Sequence, residues 1–517
     1  MLTGINAFRG VRDATSIMRD MHDPSGGVST DAAIYTAEQV RGLDRRAIEE
    51  CGIAGYELMT RAGHATLNAL KALWPAARSI TVLCGPGNNG GDGYVVARVA
   101  RAQSMRVTVV ALGDPQALTG DAARACADFV AAGGRWEPWS AAALDSDVIV
   151  DALFGIGLTR EVSGEAALMI EAANASGRPI VAVDIPSGLQ SDTGAVLGVA
   201  VRAAVTVTFI GRKLGCYVGA GLDQAGRLVL EQLDVPSDAC VGTEPVARLL
   251  GDDTTPRALP RRPRAMHKGA NGHVLVIGGG LGMPGAVRLA GEAALRAGAG
   301  LVTVAVHPEN AGVVAACPEL MCVAARSAAD LEAAFGCATV VAIGPGLGQD
   351  AWAQQLFDAA LRSGLPMVVD ADALNLLALT PGTRDNWILT PHPGEAARLL
   401  GSTSAVVQSD RLRAARELQA RFGGHVVLKG AGSVVQSRAE PPCICDRGNP
   451  GMAAAGMGDV LTGVIAGIAA QCGDLGLAAR AGVFVHAQAG DLAARGGERG
   501  LLASDVLRQV RACVNPA

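Results

Sequence analysis

SITVLCGPGNNGGDG, residues 79–93, is a short β-rich run that breaks into nine residues, Gly85-Pro86-Gly87-Asn88-Asn89-Gly90-Gly91-Asp92-Gly93. A helical pattern is expected from about Tyr94. Glycines at a strand-to-helix junction let backbone N–H groups approach an anion, and the helix N-terminus adds a favourable dipole. The spacing is neither G-x-G-x-x-G nor a P-loop, because no Lys-Ser/Thr pair follows. A glycine-rich turn alone can be mere turn chemistry. The Asn-Asn pair and Asp92 make this one more specific.

On either side of the junction, further β-rich runs alternate with helical stretches: RVTVVAL (106–112), DVIVDALFG (147–155), PIVAVDI (179–185) and AVTVTFI (204–210). Upstream, the segment after Thr36 spaces Val40, Leu43 and Ala47 as one helix face with charges between them. Strands alternating with helices predict a mostly parallel sheet with right-handed crossovers. The alternation stops near Pro236, and a stretch rich in proline and charge follows. A second series then runs through HVLVIGG (273–279), LVTVAV (301–306), TVVAIG (339–344), PMVVD (366–370), WILT (387–390) and HVVLKG (425–430). The two series do not align with one another. The expected organisation is a weakly ordered extension (1–30), an α/β domain (31–236), a linker (237–261) and a second α/β domain (262–517).

Composition agrees. Half of the 517 residues are apolar, 18% are charged and only 3% are aromatic, so the cores are of Ala, Val and Leu. The net charge is −5 and the longest basic cluster is Arg261-Arg262-Pro263-Arg264, which disfavours nucleic-acid binding. Twelve cysteines have irregular spacing, with Cys443 and Cys445 the one close pair, and are expected to be free or buried thiols of a reducing compartment. No signal-peptide pattern opens the chain, and no run approaches the ~18 apolar residues of a membrane span. A soluble, cytoplasmic protein is expected, assembling as a homo-oligomer.

Polar groups end two further strands of the first series: Asp151 before Ala152-Leu153-Phe154-Gly155, and Asp184 before Ile185-Pro186-Ser187-Gly188. Ligands of open parallel sheets bind outside the carboxyl ends of the strands, so these loops should gather with 85–93. Asn89, Asp151 and Ser187 can give oxygen ligands to a hard cation, and so low a charge suits a monovalent ion better than Mg²⁺. The competing assignment makes Asp151 and Ser187 turn caps.

TAEQVRGLDRRAIEECGIAGYELMTRAG, GPGNNGGDG, VDALFGIG and VDIPSGL resemble the NAD(P)H-hydrate epimerase family over about residues 35–235. The resemblance implies a Rossmann-like three-layer domain that binds a hydrated nicotinamide nucleotide beside K⁺. It implies nucleotide contacts from Asn88, Asn89, Gly90, Gly91 and Asp92 and from Gly155, Ile156, Gly157, Leu158, Thr159, Arg160 and Glu161. K⁺ would be held by Asn89, Asp151 and Ser187, and Asp184 would lie beside the reacting ring. VTFIGRKLG also resembles the family's late strand, which makes Lys213 a further candidate.

In the second series the densest signal is Gly448-Asn449-Pro450-Gly451-Met452-Ala453-Ala454-Ala455-Gly456-Met457-Gly458-Asp459-Val460-Leu461-Thr462-Gly463, where small residues lead into an apolar helix expected to start around Asp459. Backbone N–H groups of Gly456 to Asp459 can hold charge on a transferring phosphoryl group, while Asp459 takes a proton from the attacking hydroxyl. An ordinary N-cap is the plainer assignment for Asp459, though N-caps do not require the glycines. Asp370 and Asp372 follow one strand, Thr390-Pro391-His392-Pro393-Gly394-Glu395 another, and Lys429-Gly430-Ala431-Gly432-Ser433 a third. Glu395 can reach Mg²⁺ through water, and the lysine loop suits nucleotide phosphates or adenosine.

With HKGANGHVLVIGGG, MPGAVRLAGEAALRAGAGLVTVA and IGPGLG, these segments resemble the ADP-dependent (S)-NAD(P)H-hydrate dehydratase family of ribokinase-like fold over about 262–515. That resemblance implies contacts to the hydrate from Ala286, Gly346 or Gly348, His392 and Asp459, and to ADP from Lys429 to Ser433 and Gly458. One departure is Ala453-Ala454-Ala455, where the family often has a second glycine or Ser/Thr. Together the resemblances imply repair of NADHX and NADPHX: epimerisation of the R and S forms, then dehydration of S with ADP, releasing AMP and phosphate. The rival enzyme assignment is a ribokinase-like small-molecule kinase, opposed by the attached NNGGDG domain and by HPGE in place of N-x-x-E. The non-enzyme rival is a scaffold, since related domains occur in mRNA-decapping enhancers; intact Asp151, Asp184 and Ser187 oppose it.

Overall fold

The computed structural model describes residues 32–236, 242–438 and 440–515. The extension expected over 1–30 lies outside the described residues. The chain divides into two compact units between Val246 and Ala247.

The first unit contains β1 (Ala33–Tyr35), β2 (Ser79–Cys84), β3 (Arg106–Ala111), β4 (Trp136–Glu137), β5 (Val148–Ala152), β6 (Ile180–Val183), β7 (Val205–Phe209), β8 (Arg212–Lys213) and β9 (Arg227–Glu231). Seven of them form a wholly parallel sheet in the order β4-β3-β2-β5-β6-β7-β9. β1 pairs in parallel with β8. Strands β2, β5, β6 and β7 are buried at every residue, as helices on both faces require. One face buries Leu67, Leu70, Val95, Val96 and Phe129; the other buries Leu144, Met169 and Ile170. This is the Rossmann-like three-layer arrangement. The chain runs outward from β2 to β4 and then returns to place β5 on the other side of β2. The strand order therefore reverses between β2 and β5, which opens a crevice at their carboxyl ends.

In the second unit come β10 (Ala247–Leu249), β11 (His273–Ile277), β12 (Leu301–Val306), β13 (Met321–Ala324), β14 (Val340–Ile343), β15 (Met367–Val369), β16 (Trp387–Leu389), β17 (His425–Leu428), β18 (Ser433–Gln436) and β19 (Cys443–Cys445). Their order is β13-β12-β11-β14-β15-β16-β17-β18-β19-β10. Pairing is parallel from β13 to β17, antiparallel through β18 and β19, and parallel again at β10. The reversal here falls between β11 and β14. The helices Pro284–Arg296, Met457–Cys472 and Leu475–Ala493 bury Ala290, Val464, Ile465 and Phe484 in the unit's main core. The architecture is ribokinase-like.

One expectation changes. The stretch taken as linker to residue 261 is partly built into the second unit: Arg248 and Leu249 of β10 pair with Cys443 and Ile444, and the helix Thr254–Ala258 buries Ala258 in the core. Proline and charge masked a three-residue strand too short to show a period. Cys443 and Cys445 flank Ile444 in β19, with Ile444 and Cys445 buried, and both thiols are free. Among the described residues, no helix is long and apolar enough to cross a membrane.

Candidate functional sites

In the first unit the helix after β2 spans Asn88–Ala102, so it starts six residues before Tyr94. The glycines are helical because the first turn is pressed onto the sheet. A Cβ on Gly90 would stand 2.0 Å from the Gly85 carbonyl oxygen, and one on Gly93 would stand 2.7 Å from the Ala152 side chain. The loop between strand and helix is therefore only Gly85 to Gly87. It opens onto a cleft of about 640 Å³ lined by Asn88, Asn89, Asp92, Gly155 to Arg160, Asp184 and Lys213. Of the sequence candidates, Gly90 and Gly91 lie beneath that lining: Gly90 abuts Gly85, and Gly91 abuts Met59. Glu161 is exposed and stands outside it.

Asp184 follows β6 with φ 67°, a left-handed conformation that few side chains other than Asn and Asp adopt. Its Oδ1 accepts from the Phe209 N–H at 3.1 Å and forms an ion pair with Lys213 Nζ. Lys213 is 1% exposed and also donates to the Phe209 carbonyl at 2.7 Å. Three more carboxylates, Asp44, Asp92 and Asp121, share the cleft. Burial, with repulsion from Asp184 and Asp44, pushes Asp92 well above the ordinary carboxylate range. Burial pushes Asp44 up to about 6; Lys213 opposes the shift and Asp184 adds to it. Sequence reasoning missed Asp44, because on the helix Ala37–Glu49 it passes for one more charge beside Leu43.

Asp151 and Ser187 are directly joined. Ser187 Oγ donates to Asp151 Oδ1 at 2.6 Å and the Ser187 N–H donates to Oδ2 at 2.8 Å. Both are wholly buried, and no cationic side chain among the described residues pairs with Asp151. Burial lifts the Asp151 carboxyl to about 6. Neither residue caps an α-helix, the next of which begin at Gly164 and Gly221, but Asp151 Oδ1 also accepts from the Leu153 N–H at 3.3 Å, a bond that caps the turn after β5 as the competing assignment has it. Asn89 approaches from the other side of the crevice: a Cβ on Gly155 would lie 3.5 Å from its Oδ1, and its buried Nδ2 has no partner.

In the second unit Asp459 lies in the first turn of the helix Met457–Cys472, whose N-cap is Gly456 at φ 86°. The helix begins two residues before Asp459, so Asp459 is not the cap. Its neighbour Gly458 faces a charged cluster: a Cβ there would be 3.4 Å from Lys429 Nζ and 3.7 Å from Asp370 Oδ2. Lys429 Nζ bonds Asp370 Oδ1 at 2.5 Å and approaches Glu395 at 3.8 Å. Thr462 Oγ1 donates to Asp370 Oδ2 at 2.7 Å. Burial and the Asp370 charge push the Asp459 carboxyl up to about 6 against the pull of Lys429. Burial raises Glu395 too, while Asp370 and Glu395 raise the Lys429 ammonium against the burial that lowers it.

His392 is the N-cap of the helix Pro393–Leu400: its Nδ1 accepts from Gly394 N–H at 2.9 Å and Glu395 N–H at 3.3 Å. Its Nε2 lies 3.4 Å from Glu395 Oε1. Of the remaining candidates, a Cβ on Gly346 would stand 3.2 Å from the Ala286 side chain, and Gly348 N–H donates to Asp372 at 2.9 Å. In the lysine loop, Ser433 Oγ bonds the Gly430 carbonyl at 2.8 Å, and Ala431 is exposed. Asp370 is the residue whose importance the sequence understated. Among the described residues, no three His, Cys, Asp or Glu converge as a metal-binding group.

A family model described as NAD(P)H-hydrate dehydratase matches residues 274–511, and one described as the N-terminus of YjeF-related proteins matches 55–215. The chain is 48% identical over 486 residues to a bifunctional NAD(P)H-hydrate repair enzyme of Coxiella burnetii, covering 93% of this chain and 99% of that one. It is 44% identical over 492 residues to one of Escherichia coli, covering 95% of each. An ADP/ATP-dependent NAD(P)H-hydrate dehydratase of Bacillus subtilis, crystallised with ATP and Mg²⁺, covers 51% of this chain and 96% of its own at 28% identity and a TM-score of 0.47. With such identity running nearly end to end and through both units, the chain belongs to the bifunctional NAD(P)H-hydrate repair enzyme family.

Proposed function

We propose that the first unit interconverts the R and S epimers of NADHX and NADPHX, and that the second dehydrates the S epimer with ADP. The observation that carries this is the half-buried Asp459 carboxyl at the start of a glycine-led helix, beside Lys429 and Asp370. Asp459 accepts the proton of the C6 hydroxyl as its oxygen attacks the β-phosphorus of ADP, and AMP leaves. The N1 lone pair then expels phosphate from C6. Loss of a C5 proton restores the C5=C6 double bond of NAD(P)H. N–H groups at the start of Met457–Cys472 take up charge on the phosphoryl oxygens.

Lys429 to Ser433 and Gly458 hold the adenine nucleotide in this scheme; Ala286, Gly346, Gly348 and His392 hold the hydrate. His392 meets it through the ring, because Nδ1 is occupied by the helix start. Carboxylates exceed the single Lys429, which suits Mg²⁺ held mainly by nucleotide phosphates, with Glu395 reaching it through water. Mg²⁺ would neutralise the phosphates during transfer. In the first unit, Asn88, Asn89, Asp92 and Gly155 to Arg160 bind the nucleotide, with Gly90 and Gly91 shaping the turn beneath them, and Asp184 with Lys213 gives acid–base help at C6. Asn89, Asp151 and Ser187 would hold K⁺, supplying fixed positive charge beside the nucleotide. The fit rests on Asp151, a buried carboxylate with neutral partners only. A reducing, cytoplasmic setting suits the free cysteines.

Severing the chain between Pro236 and Ala247 tests the division of labour, since it leaves β10 and its β19 partner intact. The C-terminal fragment should consume the S epimer at full speed and the R epimer only at its spontaneous epimerisation rate, read by recovery of NADH absorbance. Adding the N-terminal fragment should restore R consumption. Fast use of both epimers by the C-terminal fragment alone would sink the assignment.

A further inference from the structure

The helix Arg411–Phe422 opens with a buried cation that the dehydration scheme above does not use. Arg411 is 3% exposed. Its Nη2 donates to the carbonyls of Leu428 at 3.0 Å, Lys429 at 3.2 Å and Gly432 at 3.4 Å, and Nη1 donates to Gln408 Oε1 at 2.5 Å. The loop after β17 is thus folded around one guanidinium. A Cβ on Gly430, at φ 139°, would stand 3.1 Å from both Nη1 and Nη2, so the loop passes directly over the group.

Among the described residues no carboxylate pairs with Arg411, and its buried Nε has no partner. Burial lowers its pKa only to about 10, so the charge is retained at neutral pH. Carbonyl dipoles offset part of the desolvation cost, but a buried cation without a counter-ion is left unbalanced. An arriving anion completes the balance.

We propose that Arg411 is the positioning residue of the nucleotide loop: it shapes residues 428–432 and leaves that loop positively biased toward the phosphates of a nucleoside diphosphate. This rests on the assignment of Lys429 to Ser433 to ADP, and the test separates the two. In the full chain, Arg411→Met should raise the KM for ADP by about tenfold, the scale of one charge-assisted interaction. kcat should change far less, the KM for the hydrate should hold, and epimerase activity serves as the internal control. Loss of binding should be graded, largest for ADP, smaller for AMP and least for adenosine, because charge and not only loop shape is removed.

Arg411→Lys, which keeps the charge without the fork, should recover part of the ADP affinity, and it decides the matter if the Met variant does not fold. An unchanged KM for ADP in either folded variant, or equal weakening of ADP, AMP and adenosine, overturns the proposal. Ala431→Asp places a negative charge in the loop itself. If it raises the KM for ADP while the Arg411 variants do not, only the role of Arg411 falls. If it leaves the KM unchanged, the loop does not hold the nucleotide and both assignments fall.

Discussion

The helix after β2 and the helix carrying Asp459 both begin in glycine. In Asn88–Ala102, Gly90, Gly91 and Gly93 all lie in the opening turns, pressed against Gly85, Met59 and Ala152. In Met457–Cys472 the packing glycines come later: a Cβ on Gly463 would stand 2.0 Å from the Ala290 carbonyl, and one on Gly467 would stand 2.5 Å from that of Ala294. Of the two opening glycines, Gly456, at φ 86°, packs against Leu289 and Ala503, while Gly458 faces Lys429 and Asp370. Close packing claims Gly90, Gly91 and Gly93 of the first helix and Gly456 at the start of the second, and leaves Gly458 facing the charged cluster. Where a glycine falls relative to the first turn, and not how much glycine there is, decides whether it packs or faces charged side chains.

The contrast breaks first at Asp459. Asp459→Asn should cost the dehydratase at least ~10²-fold while epimerisation persists. Because the base must be ionised, the wild-type rate should fall about tenfold per pH unit below its pKa, which is about 6. The stability effect runs the other way: a folded pKa raised from 3.8 to about 6 favours the protonated form, so this stability is lost as pH rises through 6. Asp459→Asn should therefore melt higher than wild type above pH 6, with the difference vanishing toward pH 4. A rate profile flat from pH 5 to 8 would remove Asp459 as the base.

Next in size is Asp151→Ala, which should lower epimerase turnover more than about tenfold if a fixed cation is lost from beside the nucleotide. K⁺ should raise the wild-type melting temperature and leave that of the variant unmoved. Equal K⁺ responses in the two proteins would return Asp151 to a purely structural role. The smallest effects sharpen the glycine contrast itself. Gly90→Ala should destabilise the first unit by about 1–3 kcal/mol through overpacking, whereas Ala454→Gly, on the exposed loop before Asp459, should stay within about 0.5 kcal/mol. Urea melts of both variants decide it.

The long buried strands were legible because a strand covered on both faces is a continuous apolar run, as SITVLC and HVLVI show. Trp136–Glu137 and Met321–Ala324 were not, being short edge strands with exposed residues. The onset at Asn88 was hidden because glycine argues locally against helix, while the contact that stabilises it there is with Gly85 and the sheet. Motifs located Asp184, Asp151 and Asp459. Asp44 and Arg411 escaped because each sits in an amphipathic helix among other charges, and only tertiary packing turns them inward.

The left-handed backbone at Asp184 sets a trap for mutagenesis. An alanine scan there would combine three losses in one number: the carboxylate, about 1–2 kcal/mol of conformational cost, and the counter-ion of the buried Lys213. Asparagine tolerates the same φ and keeps the Phe209 N–H acceptor, so the Ala-minus-Asn difference isolates the conformational cost together with that hydrogen bond. A library of single-nucleotide changes at this codon would include Asn, Gly and Ala, and its ranking should follow backbone tolerance in expression yield but carboxylate chemistry in turnover. Where those two orders part, chemistry has been separated from folding at a single position.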